Sequence, residues 1–395
     1  MKIAKVIFRE VSIPLNFQFA QSNNPSSHCS SSAILELHLE DGTIGYGEAC
    51  PRTYVTGECM DSMRKDLQGI APQFAQTELD HLEAWRMRLR QWAAMGVGSS
   101  TVCALEMAGL DAISKLKQKP LASLLGLSEK DSEPILYSMV IPMLIPEKLA
   151  KLLPRIQHLK PSSLKLKASH ELDHNLTNIQ LLRDFFGPAV SIRVDVNAGW
   201  NLDQAMTFIP AFLKSDVCSF EQPLPANALD GLQQLTQTFG QDAQIMVDES
   251  LLCLADARHI LELGISNHFN LKISKLGGIF NTLAIYQLAA QFGVPCQLGA
   301  HFGETSLLTA AGILLAKMAG PMTALEGALG EFLLEKDITK PSLSQATDGY
   351  LNPEAVLQQV GLAKAVDELV LEQYTLHNKE YKPYKFNDVL KRLTA

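Results

Sequence analysis

The pattern of apolar and polar positions changes once along the chain. Residues 2–15 and 32–40 alternate with the period of two expected of strands, and the turn Asp41-Gly42 leads into a third short run at 44–48. From residue 68 to 119, Leu, Trp, Met and Ala recur at three- and four-residue intervals, which predicts helices. Residues 1–130 therefore read as a three-stranded meander followed by helices, an α+β domain.

From Pro134 the rhythm is different. Short apolar runs recur, ILYSMVI, SLKLK, SIRVDV, VCSFEQP, QIMVDES, HFNLKIS, VPCQLGA and one near TALEG, each followed by a helix-like segment. Eight such strands at a spacing of roughly 25 residues predict an α/β fold, a (β/α)7β TIM-like barrel over residues 131–335 with residues 1–130 as its capping domain. An open doubly wound sheet would carry a Gly-rich phosphate turn after its first strand, and none is present; Gly277-Gly278 reads as a loop or the start of a helix. Residues 336–395 are less regular, with a strand-like run at 368–372, and are expected to pack back on the capping domain. One barrel run fits poorly: in SLKLK, Lys165 and Lys167 share a strand face and would place two ammonium groups side by side.

Composition narrows the classes. The chain has 395 residues, 47% apolar and 19% charged, with net charge −8, and no Lys/Arg cluster suggests nucleic-acid binding. No window reaches the ~18 apolar residues that a spanning helix needs, so a membrane is not expected as a partner. Seven cysteines, an odd number without Cys-x-x-Cys, read as free thiols in a reducing cytoplasm. The expected partners are a small-molecule carboxylate substrate and further copies of the chain in a homo-oligomer.

The polar residues that end the strands carry the chemistry. They are Lys165/Lys167, Asp195/Asn197, Glu221, Asp248/Glu249 and Lys272, and successive rim positions from 167 to 272 are 28, 26, 27 and 24 residues apart. Each interval is one β/α unit, so five consecutive strands deliver a charge to the same barrel rim, where catalytic groups of this architecture sit. Three converging carboxylates, Asp195, Glu221 and Asp248, would repel one another, and a divalent cation resolves this; oxygen ligands suit Mg²⁺, then Mn²⁺. The bland alternatives are arginine partners or helix caps for the acids, and a solvated edge strand for Lys165 and Lys167. Lys167 and Lys272 bracket the acids. Neighbouring positive charge should lower their pKa toward that of a working base, and the metal would stabilise an enolate formed next to a carboxylate.

These residues resemble the enolase superfamily, and within it the muconate-lactonising subgroup. The matching pieces are Lys165-x-Lys167, Asp195-x-Asn197, Glu221-Gln222-Pro223, Asp248-Glu249-Ser250 and Asn270-Leu271-Lys272, with Lys275-x-Gly277-Gly278 after them; GYGEACP at 45–51 resembles the N-terminal capping domain. The resemblance implies that Lys167 and Lys272 form the acid–base pair, that Lys165 tunes Lys167, and that Asp195, Glu221 and Asp248 hold Mg²⁺. It also implies that loops near residues 16–28 and 50–60 close over the barrel mouth and select substrate. Two lysines on opposite faces suit a 1,1-proton transfer.

Four further residues are candidate substrate contacts. Arg52, in a loop resembling the flap of dipeptide epimerases, could pair with a distal carboxylate. Glu326, in Ala324-Leu325-Glu326, keeps one acid where those enzymes carry Asp-x-Asp to hold the substrate ammonium. Asn197 stands two residues beyond Asp195. His301 lies on the seventh strand, where the mandelate-racemase subgroup has a basic His, but Lys272 on the sixth strand assigns it a hydrogen-bonding or packing role. The leading function is a Mg²⁺-dependent racemase or epimerase acting on a dipeptide or N-substituted amino acid. The alternatives are a muconate-type cycloisomerase or an o-succinylbenzoate-synthase-like dehydratase, and an inactive barrel kept for binding.

Overall fold

The structure, a computed structural model, describes residues 1–21, 24–79 and 81–383. Strands Ile3–Gln21 and Asn24–Leu39 form a long antiparallel hairpin, and Ile44–Ala49 adds to its second strand. The hairpin reaches past the ends its apolar alternation suggests. Much of the loop expected at 16–28 is strand, and residues 22 and 23 of that loop lie outside the described residues. Helices Met60–Ile70, Leu82–Ala94 and Ser99–Lys117 follow. Strand Ile44–Ala49 lies directly on helix Ser99–Lys117, because a Cβ on Gly47 would strike the carbonyl oxygen of Ala104.

The run ILYSMVI divides. Ile135–Leu136 pairs antiparallel with Tyr350–Leu351, whereas Met139–Ile141 opens a parallel sheet. That sheet continues in chain order through Ser163–Lys167, Ser191–Asp195, Ser219–Glu221, Gln244–Val247, His268–Leu271 and Cys296–Leu298. Its two ends meet through residues 323–326: Leu298 N donates to Ala324 O at 3.0 Å, Glu326 N to Leu298 O at 2.9 Å, and Ser138 N to Leu325 O at 2.7 Å. The eighth strand is thus a short one that closes the barrel. We number the barrel strands one to eight from Met139–Ile141.

Alternation along the strands resolves the misfit in SLKLK. Leu164 and Leu166 are fully buried toward the surrounding helices, and Lys165 and Lys167 are buried inside the barrel. The run at 368–372 is not strand. Glu368–Tyr374 is a helix whose N-cap, Asp367, accepts a hydrogen bond from Val370 N, and it buries Leu371 and Tyr374 three residues apart. The chain then continues as strand Thr375–Tyr381, antiparallel to Ile3–Gln21.

Two buried carboxylates join the N-terminal elements to barrel helices. Glu48 accepts from Thr305 Oγ1 at 2.6 Å, Thr305 N at 3.0 Å and Leu308 N at 3.2 Å, at the start of helix Ser306–Ala319. Glu106 accepts from the backbone N–H of Ile279 and Phe280, at the start of helix Ile279–Gln291. Both use the unpaired N–H groups that every helix start presents. Gly278 has φ +108° and lies so close to the Glu106 carboxylate that any Cβ would collide with it. No described helix is long and apolar enough to cross a membrane.

Candidate active site

The register of the barrel builds the site. Lys167 pairs with Asp195 across strands two and three, and Asp195 with Glu221 across strands three and four. Strand five ends one residue before Asp248, and strand six one residue before Lys272. All five side chains are buried at the same rim. Strands two and six stand four apart in an eight-stranded barrel, so Lys167 and Lys272 come from opposite walls.

The lysines are engaged by the acids. Lys167 Nζ donates to Asp195 Oδ2 at 2.6 Å and to Asn197 Oδ1 at 2.8 Å. Lys272 Nζ donates to Asp248 Oδ2 at 2.5 Å. Lys165 Nζ lies among three acids, 2.5 Å from Glu326, 3.2 Å from Glu221 and 3.3 Å from Asp195. Burial opposes the charged form of every one of these groups, and the partners decide the outcome. Lys167 first, then Lys165 and Lys272, hold Asp195 below the usual carboxylate range despite burial. Lys272 and Lys275 do the same for Asp248. Glu221 goes the other way: burial, then the charge of Asp195, push it up to about 8, with Lys165 only partly offsetting this.

The lowering expected for Lys272 is reversed, and Lys165 is raised as well. Burial would lower Lys165 and Lys272, but the acids outweigh it. Glu221, Glu326 and Asp195 raise Lys165, while Asp248 leads in raising Lys272. Lys165 touches three carboxylates and Lys272 one at 2.5 Å, and this attraction exceeds the repulsion between the ammonium groups.

Asp195, Glu221 and Asp248 fit a hard divalent cation in donor chemistry. They are oxygen donors on consecutive strands, and Glu221 is destabilised as an anion by both neighbouring acids. Among the described residues no three acids are arranged as a ready-made metal cluster. The ammonium groups of Lys165, Lys167 and Lys272 lie on these same oxygens and would have to give way to a cation.

Several residues that the sequence did not single out for a role complete the site. Lys275 is fully buried and donates to Asp248 Oδ1 at 2.7 Å, Asp248 O at 2.7 Å and Asn270 O at 3.0 Å. Asn270 Nδ2 and Gln297 Nε2 donate to the two oxygens of Glu221 at 2.7 and 2.9 Å. Arg193 donates to Gln297 and, at 3.1 Å, to Glu326. A signal was available. Lys165, Arg193 and Asn270 each lie two residues before a rim position, so strand alternation points them into the barrel one layer deeper.

The four expected substrate contacts divide. Asn197, His301 and Glu326 line a cavity of about 330 Å³ above the rim, together with Lys165, Lys167 and Lys272. His301 is buried there with neither ring nitrogen hydrogen-bonded; burial, then Lys272 and Arg52, hold it well below its ordinary pKa. Glu326 already holds two cations, Lys165 and Arg193. Arg52 does not line the cavity. Its guanidinium donates to the carbonyl oxygens of Ser31, Pro51 and Phe302 at 2.9, 3.0 and 3.1 Å, so it ties the loop to the barrel instead of awaiting a distal carboxylate. A loop arginine surrounded by backbone carbonyls cannot be told from a free one by sequence.

Comparison with known proteins places this arrangement. A family model described as mandelate racemase / muconate lactonizing enzyme, N-terminal domain, matches residues 4–126, and one described as enolase C-terminal domain-like matches residues 150–370. The N-succinyl-L-Arg/Lys racemase of Bacillus cereus is 26% identical over 340 residues, covering 86% of this chain and 90% of its own. A hydrophobic dipeptide epimerase of Enterococcus faecalis is 26% identical over 317 residues, covering 80% and 87%. The crystal structure of a dipeptide epimerase from Cytophaga hutchinsonii, complexed with Mg and the dipeptide D-Ala-L-Val, superposes with a TM-score of 0.85 at 23% identity, covering 97% of this chain and 100% of that one. With both family models spanning the cap and the barrel in order, the chain belongs to the mandelate racemase/muconate lactonizing enzyme family of the enolase superfamily.

Proposed function

We propose that this protein is a Mg²⁺-dependent racemase or epimerase that removes and returns the proton alpha to a carboxylate, on a dipeptide or N-substituted amino acid. One observation carries the reading: Lys167 and Lys272 reach the same rim from opposite walls, on either side of Asp195, Glu221 and Asp248. The relatives named above, a racemase and an epimerase, support it. Held by the three acids, Mg²⁺ would relieve the negative charge that keeps Lys272 protonated and stabilise the charge left when the proton departs.

In this reading one lysine, as the neutral amine, takes the alpha proton from one face. The other, as the ammonium, delivers a proton to the opposite face, and the roles exchange for the opposite enantiomer. Lys165, held by Glu326 when the metal takes the oxygens of Asp195 and Glu221, supplies positive charge beside Lys167. Asn270 and Gln297 hold both oxygens of Glu221, and Lys275 fixes Asp248, so the acids keep their aim. Asn197 and His301 face the substrate space. We also assign residues 1–130 as the cap, 131–335 as the barrel and 336–395 as a returning segment. The pairing of Thr375–Tyr381 with Ile3–Gln21 supports this; residues 384–395 lie outside the described residues.

The test is alpha-proton exchange in D₂O with Mg²⁺ on a library of dipeptides and N-acyl amino acids, followed by proton NMR. Exchange on at least one class is the expected result, and silence across the library would sink the proposal.

A further inference from the structure

The cavity has two unlike sides. The charged side is built from strands two to six. The other lies where the barrel closes, between strands eight and one, and is walled by Ile141, Leu144, Leu152, Ile156, Leu159 and Leu329. In an eight-stranded barrel, strands eight and one face strands four and five. The apolar wall therefore stands across the mouth from Glu221 and Asp248. A substrate anchored by its carboxylate at the acids would extend its far end toward that wall.

No cation among the described residues lines that side of the cavity. Among the described residues, the cations lining the cavity are Lys165, Lys167 and Lys272, and each lies on an acid of the rim. Arg52, the cation expected to meet a distal anion, does not line the cavity; its guanidinium is anchored on three backbone carbonyls. Of the acids, Glu326 is neutralised by Lys165 at 2.5 Å and Arg193 at 3.1 Å. Asp248 and Glu249 stand at the end of strand five, on the charged side. Glu304 accepts the His301 backbone N–H at 2.6 Å, and burial pushes its carboxyl up to about 8, against the charged form. A charged group against this wall would be desolvated without a partner.

We infer that the site selects substrates whose far end is apolar and uncharged, an N-acyl amino acid with an aliphatic or aromatic acyl chain, over those ending in a carboxylate or a free ammonium. The inference rests on the proton-transfer reading above and adds the identity of the distal group. It separates this chain from a relative named for N-succinyl substrates, whose acyl group ends in a carboxylate.

The experiment uses the full chain with Mg²⁺ in D₂O and three series, N-hexanoyl, N-succinyl and N-(6-aminohexanoyl), each on alanine, leucine and phenylalanine. The kcat/KM for alpha-proton exchange should be at least about 100-fold higher for the hexanoyl members, the lower end of what an unpaired charge in apolar surroundings costs. A succinyl or aminohexanoyl member that equals its hexanoyl counterpart overturns the inference. In Leu159→Arg the succinyl-to-hexanoyl ratio should rise at least about tenfold, since a guanidinium now meets the carboxylate; an unchanged ratio also overturns it. If no member of any series exchanges, the proton-transfer reading fails, and equilibrium binding of the same ligands decides the inference alone. Tighter binding of the hexanoyl compounds supports it, and equal or tighter binding of the charged ones overturns it.

Discussion

The molecule buries carboxylates in two regions, and it satisfies them differently. Where the N-terminal elements meet the barrel, Glu48 and Glu106 accept hydrogen bonds from backbone N–H groups at the starts of two barrel helices. Those donors are fixed by the helices, and a neutral acceptor of the same shape would serve them nearly as well. Inside the barrel, Asp195 and Asp248 are held mainly by ammonium groups, Asp195 with one backbone N–H from Asn197 besides, and Glu221 by an ammonium and two side-chain amides. Side chains can be displaced by a cation or a substrate; helix starts cannot. The same residue type is structural in the first region and available for chemistry in the second, and the mobility of its partners makes the difference.

The largest effect that would sharpen this contrast is at Lys272. Lys272→Ala should lower racemisation by about 10²- to 10⁴-fold, the usual contribution of a positioned acid or base. Exchange with D₂O should persist for the one enantiomer whose alpha proton faces Lys167. Asp248 keeps Lys275, so the melting temperature should change little. Chiral chromatography and deuterium incorporation, measured on one sample, read both quantities. Equal loss of exchange for both enantiomers would argue against two separate bases.

A smaller effect concerns the metal. Mg²⁺ at 100 times its Kd should stabilise the folded chain by about 2.7 kcal/mol. Glu221→Gln should abolish that response, whereas Glu48→Gln should leave it intact. Thermal melts with and without chelator measure this. A Mg²⁺ response that survives Glu221→Gln would place the cation elsewhere.

Legibility in the sequence followed the same division. Lys167, Asp195, Glu221, Asp248 and Lys272 stand out because each interrupts or ends an apolar strand at one-unit spacing, and the barrel brings them to one rim. The deeper residues Arg193, Asn270 and Gln297 were equally regular, yet a polar residue inside a strand attracts attention only once its partners are known. The cap carboxylates were hidden for a physical reason. Glu106 accepts from backbone groups, which every residue carries. Glu48 accepts from backbone groups and from the hydroxyls of Ser32 and Thr305, which are common side chains, so no pattern marks either as a docking point. Arg52 failed in the same way. In residues 368–372, the alternation of Glu, Leu and Val imitates a strand, and only the cap at Asp367 and the spacing of Leu371 and Tyr374 favour a helix.

The last effect, on stability alone and not on turnover, is a pH dependence at the fixed acceptors. Burial pushes Glu106 from an ordinary 4.5 up to about 8, with the backbone N–H groups of Ile279 and Phe280 only partly opposing it. The folded chain therefore holds this proton more tightly than the unfolded chain, and between those two values folding takes it up. Stability attributable to Glu106 is full below the unfolded value and falls as pH rises toward 8, with a slope of at most about 1.4 kcal/mol per pH unit. Glu106→Gln keeps an acceptor for the helix start and cannot titrate. Urea unfolding of both proteins from pH 5 to 8.5 should show the wild type losing ground to the variant across that window, with catalytic turnover per folded molecule alike in the two. A constant difference in stability across the window would mean that the Glu106 carboxyl titrates no differently in the folded and unfolded chain. The contrast between fixed and exchangeable partners would then have to rest on Glu48 alone.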